Sequence, residues 1–184
     1  MIIDKDEVKE KKLGMFQDIS RGSVFLYPTD TIYGLGCDAT HESSVKRLRH
    51  IKNCEKPFSV IVPSKDWIYK HCEVTDEIQD WIDKLPGSYT LILTLKNKKY
   101  FPEILTGGLD TVGVRIPDHW IREFVEEYGA PIVTTSANRF GELFMTNLDN
   151  LDVEIRQKLD FIVYEGEKDG KPSKIIDLSL KKKK

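Results

Sequence analysis

Two threonines stand directly after an apolar run that is typical of a strand. In the stretch "LYPTDTIYGLG" the run ends at Pro28, and Thr29 and Thr31 occupy the turn that follows. Open α/β sheets bind ligands beyond the carboxyl ends of their strands, and a hydroxyl can hydrogen-bond a ligand without bringing charge. Gly34 and Gly36 would let the backbone approach such a ligand closely. The composition is also that of an ordinary polar turn, so both interpretations stay open.

A second polar cluster follows the strand-like run that begins at Pro131. Thr134, Thr135, Ser136 and Asn138 have short side chains that can hold phosphate oxygens, a carboxylate or a ribose without charge. A polar loop that caps a helix is the alternative interpretation of this cluster.

Three charged residues could bind an anion. Arg115 interrupts the otherwise apolar run "TVGVRIP", where a guanidinium needs a carboxylate or phosphate partner, either internal or bound. Lys52 and Lys56 frame "KNCEKP" ahead of another strand, and they could contact phosphate or form a solvated helix end. The segment "GKPSKIIDLS" adds Ser173 and Asp177 beside a late strand. Together these segments indicate a small-ligand site at strand ends and loops.

The elements that must position these residues alternate between strands and helices. Apolar, β-branched or aromatic runs predict seven strands, over 23–28, 57–63, 89–95, 111–117, 131–136, 160–164 and 174–180. Apolar residues at helical spacing predict helices over 41–53, 75–85 and 118–129. Thr75 and Asp118 are the predicted N-caps of the last two helices, and Gly129 is the predicted C-terminal glycine. This alternation predicts an α/β fold with both parallel and antiparallel strand pairs.

The composition predicts one globular domain over residues 1–180. Hydrophobic residues at 40% and charged residues at 32% are ordinary globular values. No unbroken apolar run is long enough to cross a bilayer. The amino-terminal segment shows no secretion signal, so we expect a cytoplasmic protein.

The charge distribution argues against non-specific nucleic-acid binding. Four of the 28 basic residues form the lysine run 181–184, which we expect to be disordered. Without that run, 24 basic residues stand against 30 acidic ones, so the body lacks a predicted basic face. Contact with RNA through the lysine run is the alternative.

The cysteines and histidines indicate neither a disulfide framework nor a metal site. Cys37, Cys54 and Cys72 are odd in number and lack C-x-x-C spacing or a nearby histidine pair. The four histidines are dispersed, and we expect them at the surface. The sequence also contains no Ser-His-Asp arrangement and no Walker lysine.

Six motifs, in this order and spacing, resemble the YrdC/Sua5 family of L-threonylcarbamoyladenylate synthases over roughly residues 8–180. They are "LYPTDTIYGLGCDAT", "KPFSVIV", "PGSYTLIL", "TVGVRIPDH", "PIVTTSAN" and "GKPSKIIDLS". The resemblance implies a twisted, mixed α/β sheet with flanking helices around a concave ligand cavity. It also implies synthesis of threonylcarbamoyl-AMP and pyrophosphate from L-threonine, bicarbonate or CO2, and ATP with Mg²⁺. A Kae1/TsaD-type transferase would then use the product for t6A modification of tRNA.

The same resemblance assigns the site residues by position. Thr31, Arg115, Thr134 and Ser173 would bind L-threonine. The ATP side would consist of Lys52, Lys56, Thr111, Ser136 and Asn138. No residue is assigned a catalytic role beyond positioning the substrates.

The ATP side departs from the family pattern. The family's Lys-x-Arg pair matches only at Lys52, because the arginine position falls on Cys54 and the segment to Pro57 is shorter. Lys56 would replace the missing charge, although a lysine cannot reproduce the bidentate fork of an arginine. Two alternatives therefore stay open: a YciO-like paralogue with weak or different adenylate-forming activity, and an RNA-binding or ribosome-associated module.

Overall fold

The computed structural model describes residues 1–180 and contains nine strands and seven α-helices in that range. The strands are β1 Ile2–Ile3, β2 Phe25–Tyr27, β3 Gly34–Gly36, β4 Ser59–Ile61, β5 Tyr89–Thr94, β6 Thr111–Arg115, β7 Ile132–Ser136, β8 Phe161–Val163 and β9 Lys174–Asp177. The helices are α1 Lys5–Ser20, α2 Glu42–Lys52, α3 Lys65–His71, α4 Asp76–Asp83, α5 Glu103–Thr106, α6 Ile121–Tyr128 and α7 Val153–Lys158. The predicted lysine tail lies outside the described residues.

The strands form one mixed sheet in the order β1-β8-β2-β3-β7-β4-β6-β5-β9. Parallel pairs join β1 to β8, β2 to β8, β4 to β6 and β5 to β9. The other four neighbouring pairs are antiparallel. The predicted α/β fold with a mixed sheet and flanking helices is confirmed, and each of the seven predicted strands forms within shorter bounds.

Strand β3 was not predicted, and its glycines have a packing role. The Tyr27 ring crosses this strand and its hydroxyl donates to the Val133 carbonyl at 2.9 Å. A Cβ atom on Gly36 would lie 2.6 Å from the Tyr27 ring and 2.8 Å from the Val133 oxygen. Gly36 is therefore required by the protein core, whereas the sequence suggested close approach of a ligand.

Two of the three predicted helix ends are confirmed and one is wrong. Thr75 caps α4 by accepting from the Ile78 N–H at 3.4 Å, and Gly129 ends α6 with a φ of 80°. The N-cap of α6 is Trp120, and Asp118 lies outside the helix. The reason is that the Asp118 N–H donates to the Asp30 carboxylate at 3.1 Å, which holds it in the preceding turn.

Helices cover the two faces of the sheet unequally. On one face, apolar residues of α2, α3, α4, α5 and α7 join a large core that includes Val60 and Val133. On the other face, α1 and α6 pack on a smaller core that includes Ile61 and Ile132. Successive strand residues point to opposite faces, so neighbours in β4 and β7 belong to different cores. Among residues 1–180, no helix is long and apolar enough to cross a membrane.

Candidate functional site

A cavity of about 180 Å³ opens beside the smaller core, on the same face of the sheet. Its lining brings together the four residues predicted to bind threonine, Thr31, Arg115, Thr134 and Ser173. Pockets for drug-sized ligands are typically ~300–1,000 Å³, so this cavity suits a smaller molecule. We call it the hydroxyl pocket because Ser59, Thr90, Thr135 and Ser136 also line it.

Arg115 is buried in the wall of the hydroxyl pocket, with 5% of its surface exposed. Its Nη2 donates to Asp30 Oδ1 at 2.8 Å and to Thr31 Oγ1 at 3.3 Å. Its buried Nε has no hydrogen-bond partner in the described part of the chain. Burial lowers the pKa of Arg115, while the Asp30 charge opposes that shift. Arg115 thus has the internal carboxylate that the sequence allowed, and its side chain also lines the pocket in which a ligand would bind.

The turn between Pro28 and Ile32 is fixed by hydrogen bonds of its own. Thr29 Oγ1 donates to the Ile32 carbonyl at 2.7 Å and accepts from the Thr31 N–H at 3.1 Å. Thr31 is thereby held in the pocket wall next to Arg115. Asp30 was missing from the predicted site, although it is the carboxylate closest in sequence to the two threonines.

The segment before β9 forms another wall of the hydroxyl pocket. Ser173 Oγ and Thr90 Oγ1 lie 2.6 Å apart in a hydrogen bond. At Gly170 the backbone presses on the Thr31 turn, since a Cβ atom there would lie 2.1 Å from the Thr31 carbonyl oxygen. Only a glycine allows this approach, which keeps Ser173 over the pocket.

A groove of about 330 Å³ adjoins the hydroxyl pocket and shares Thr135 and Ser136 with it. Four of the five residues predicted on the ATP side line this groove, namely Lys52, Lys56, Ser136 and Asn138. We call it the lysine groove. The two cavities meet at the end of β7, where the sequence placed its second polar cluster.

Lys52 fastens the end of α2 to the end of β7. Its Nζ donates to the carbonyls of Ser136 and Asn138 at 2.5 and 2.7 Å and to Asn138 Oδ1 at 3.2 Å. It forms no ion pair with any residue of the range 1–180, although only 3% of it is exposed. Burial lowers the pKa of Lys52 to about 8. A buried cation held only by neutral oxygens favours an anion in the adjoining groove.

The other side chains of the lysine groove are also ordered by contacts. Ser136 Oγ donates to Asn138 Oδ1 at 2.5 Å, and Asn138 Nδ2 donates to the Glu142 carbonyl at 2.7 Å. Lys56 Nζ lies 4.7 Å from the ring centroid of Phe140, which is 57% exposed. This is the geometry of a cation–π contact at the mouth of the groove.

Thr111 is the one predicted site residue that lines neither the hydroxyl pocket nor the lysine groove. It begins β6 opposite Thr94. It shares a sheet face with Arg115, but it lies four residue steps away along the strand, or ~13 Å. The cysteines are free thiols, of which Cys54 lies in the lysine groove. Within the described residues, no group of three or more His, Cys, Asp or Glu side chains could hold a metal ion.

Comparison with known proteins identifies the family. Residues 17–184 match the model of the Sua5/YciO/YrdC family, which carries the description "Telomere recombination". The chain therefore belongs to this family, and the resemblance drawn from the six motifs is confirmed.

Individual relatives place the chain more closely within the family. A protein of Methanocaldococcus jannaschii, provisionally named threonylcarbamoyl-AMP synthase, is 37% identical over 184 residues, covering 96% of this chain and 86% of the relative. The crystal structure of Pyrococcus abyssi Sua5 complexed with L-threonine matches at 30% identity with a TM-score of 0.84. It covers 97% of this chain, which spans about half (54%) of that longer protein.

E. coli YciO has the same fold. Its crystal structure matches with a TM-score of 0.81 over 94% of this chain and 85% of that chain, at 24% identity. At this identity the match shows the fold alone.

Proposed function

We propose that this protein is an L-threonylcarbamoyladenylate synthase, which makes threonylcarbamoyl-AMP and pyrophosphate from L-threonine, bicarbonate or CO2, and ATP. The observation that carries the proposal is the junction of two unlike cavities. A small hydroxyl-lined pocket with a buried arginine opens, through Ser136, into a groove whose two lysines form no ion pair within residues 1–180. An amino-acid site next to a polyphosphate site is what an amino-acid adenylating enzyme requires.

The hydroxyl pocket would hold L-threonine. Its carboxylate would accept from the guanidinium of Arg115, which lines the pocket. The hydroxyls of Thr31, Thr134 and Ser173 would surround the substrate hydroxyl and amine. A pocket built to hydrogen-bond a hydroxyl discriminates strongly against analogues that lack one. The P. abyssi relative was solved as a complex with L-threonine, which supports this assignment.

The lysine groove would hold the phosphates of ATP. Lys52 and Lys56 form no ion pairs in the described range, whereas Lys46, Lys158 and Lys168 each pair with a carboxylate. Unneutralised cations that face one groove raise its potential and favour a polyanion. The motif-based assignment of Thr111 to the ATP side stays a prediction.

The chemistry would follow from holding the two substrates end to end. The threonine amine attacks CO2 or bicarbonate to give a carbamate, with loss of a proton or of water respectively. A carbamate oxygen then attacks the α-phosphorus of ATP, and pyrophosphate leaves. The chain would contribute by aligning these groups, neutralising the developing phosphate charge and keeping water from the carbamate.

Magnesium is expected to enter with ATP. The lining of the lysine groove contains no carboxylate, so the ion would be held by phosphate oxygens and water, as Mg²⁺ commonly is. The product is a reactive mixed anhydride, which fits transfer of the threonylcarbamoyl group to tRNA by a Kae1/TsaD-type partner. We place this reaction in the cytoplasm.

The two alternatives are not favoured. Threonylcarbamoyl-AMP synthases match this chain at 30–37% identity, whereas YciO matches at 24%. An RNA-binding module would not need the two joined cavities, and the acidic body gives RNA little attraction.

The decisive experiment is pyrophosphate release by the purified protein with ATP, Mg²⁺ and bicarbonate. We expect release that requires L-threonine, is weaker with L-serine, and yields threonylcarbamoyl-AMP by mass spectrometry. Pyrophosphate release that is the same with and without threonine would overturn the proposal. So would the absence of pyrophosphate release by a protein that still binds ATP.

A further inference from the structure

Arg49 directs its guanidinium at backbone carbonyls of two segments, the loop 53–57 beside the lysine groove and the helix α5. Nη1 donates to the carbonyls of Cys54 and Lys56, each at 2.9 Å. Nε donates to the Ile104 carbonyl at 2.6 Å, and Nη2 donates to the Leu105 carbonyl at 3.4 Å. One side chain of α2 thus ties the loop 53–57 to α5.

The loop 53–57 has little else to hold it. Asn53 ends α2 in the left-handed conformation with a φ of 50°, and the Cys54 N–H donates to the Arg49 carbonyl at 3.3 Å. Within the described range, Arg49 is the side chain that hydrogen-bonds this loop. Its guanidinium also lies 4.7 Å from the ring centroid of Phe58, the residue just before β4.

The loop carries one cation of the lysine groove and borders the other. Lys56 is held through its own carbonyl by Arg49, and Cys54 lies beside Lys52 in the groove lining. Arg49 forms no ion pair in residues 1–180 and does not line the groove itself. Arg49 therefore reaches the groove indirectly, through the loop 53–57 and through Phe58, which also lines the groove.

We propose that Arg49 is a positioning residue for ATP, which fixes the shortened loop 53–57 so that Lys56 faces the phosphates beside Lys52. The inference rests on the proposed function. Catalysis by positioning is sensitive to displacements of about 1 Å, which can cost ~100-fold. A lysine at position 49 could not replace the arginine, because its single nitrogen cannot span carbonyls from two segments.

The test compares Arg49→Lys with Arg47→Lys. Arg47 lies two residues earlier on α2 and makes a similar clamp, donating to Asp160 at 2.6 Å and to the Lys158 carbonyl at 2.7 Å, away from the groove. We expect Arg49→Lys to raise the KM for ATP about tenfold or more, with kcat and the KM for threonine within about twofold. Arg47→Lys should leave all three parameters within about twofold.

A purely structural role gives a different result. Loss of folded protein lowers the apparent kcat and leaves both KM values unchanged, and that outcome would overturn the proposal. If Arg49→Lys does not fold, Arg49→Gln carries the same test, since its amide can still donate to the Cys54 or Lys56 carbonyl.

A double-mutant cycle tests the route through the loop. If Arg49 acts by placing Lys56, the effect of Lys56→Ala on ATP affinity should shrink in the Arg49→Lys background. Equal effects of Lys56→Ala in both backgrounds would overturn transmission through the loop.

Calorimetric titration with ATP alone separates this inference from the proposed function. If the wild type releases no threonine-dependent pyrophosphate, the proposed synthase fails, but the Kd for ATP still decides the role of Arg49. A Kd weakened about tenfold in Arg49→Lys supports positioning, and an unchanged Kd overturns it.

Discussion

One face of the sheet has two halves with opposite surroundings. In the half formed around β2 and β8, Phe25 and Phe161 pack with α1 and α6 in the smaller core, and their rings stack at 4.7 Å. In the half formed by β4, β6 and β5, Ser59, Arg115 and Thr90 line the hydroxyl pocket. Helices α1 and α6 cover the first half. The second half forms a wall of the hydroxyl pocket.

The boundary between the halves runs across two paired strands. Ile61 of β4 pairs with Ile132 of β7 in the smaller core, and Ser59 pairs with Thr134 two residues further along. A step of two residues, ~7 Å, therefore separates core from pocket on the same backbone. The side chains at alternate positions, and not the strand geometry, decide whether a helix or a ligand covers the face.

The largest expected effect lies in the covered half. Phe25→Ala should lower the free energy of unfolding by ~3–5 kcal/mol, because it leaves a cavity under the helices. Both KM values should stay within about twofold, since the pocket is untouched. Denaturant unfolding and steady-state kinetics measure the two quantities. A changed KM at unchanged stability would contradict the division into halves.

The open half should respond in the opposite way. Arg115→Lys keeps a positive charge near Asp30 but loses the forked donors, so we expect the KM for threonine to rise ~100-fold while ATP affinity stays within about twofold. Arg122→Lys, at a partly exposed arginine of α6 that pairs with Asp118, is the matched control. Normal turnover by Arg115→Lys at limiting threonine would remove Arg115 from the substrate site.

The lysine groove should show a pH dependence that the covered half lacks. Burial lowers the pKa of Lys52 to about 8, so the unfolded chain binds more protons above that pH and stability should rise with pH there. ATP needs the protonated amine, so its affinity should weaken up to about tenfold per pH unit above pH 8. Titration with ATP alone at several pH values measures this. Lys52→Met should flatten the profile, and the same slope in that variant would assign the titration to another group.

The smallest expected effect comes from one hydroxyl. Thr134→Val keeps the shape of the side chain and removes one neutral hydrogen bond, worth ~0.5–1.5 kcal/mol, so the KM for threonine should rise about 2–10-fold. Thr111→Val makes the same change on the same face outside both cavities, and it should leave the KM for threonine and the Kd for ATP within about twofold. A larger loss of ATP affinity in Thr111→Val would support the motif-based assignment instead.

The sequence could predict most of the open half because its residues are local signals. Thr31, Thr134 and Ser136 each follow a recognisable apolar run, and ligands bind where such runs end. The pairing of Arg115 with Asp30 could not be identified, because 85 residues separate the partners and the contact depends on the fold. Arg49 likewise has the spacing of a basic residue on a helix surface, and only the path of the loop shows where its donors point.

The covered half was harder to predict. Helix α1 is strongly charged, and its buried residues Val8, Met15 and Ile19 are too widely spaced to form a clear apolar stripe. Strand β3 is Gly-Leu-Gly, which has almost no strand propensity. It forms because β2 and β7 pair with it on both sides and the Tyr27 ring needs the space above it.

The wall shared by the two cavities has a thermodynamic consequence. Ser136 lines both the hydroxyl pocket and the lysine groove, and its hydroxyl is hydrogen-bonded to Asn138 on the groove side. A ligand in either cavity would therefore contact Ser136, which a ligand in the other cavity would contact as well. Linkage is reciprocal, so whatever factor threonine contributes to ATP affinity, ATP must return to threonine affinity. A mutation of Ser136 can thus change the coupling free energy between threonine binding and ATP binding without abolishing either site.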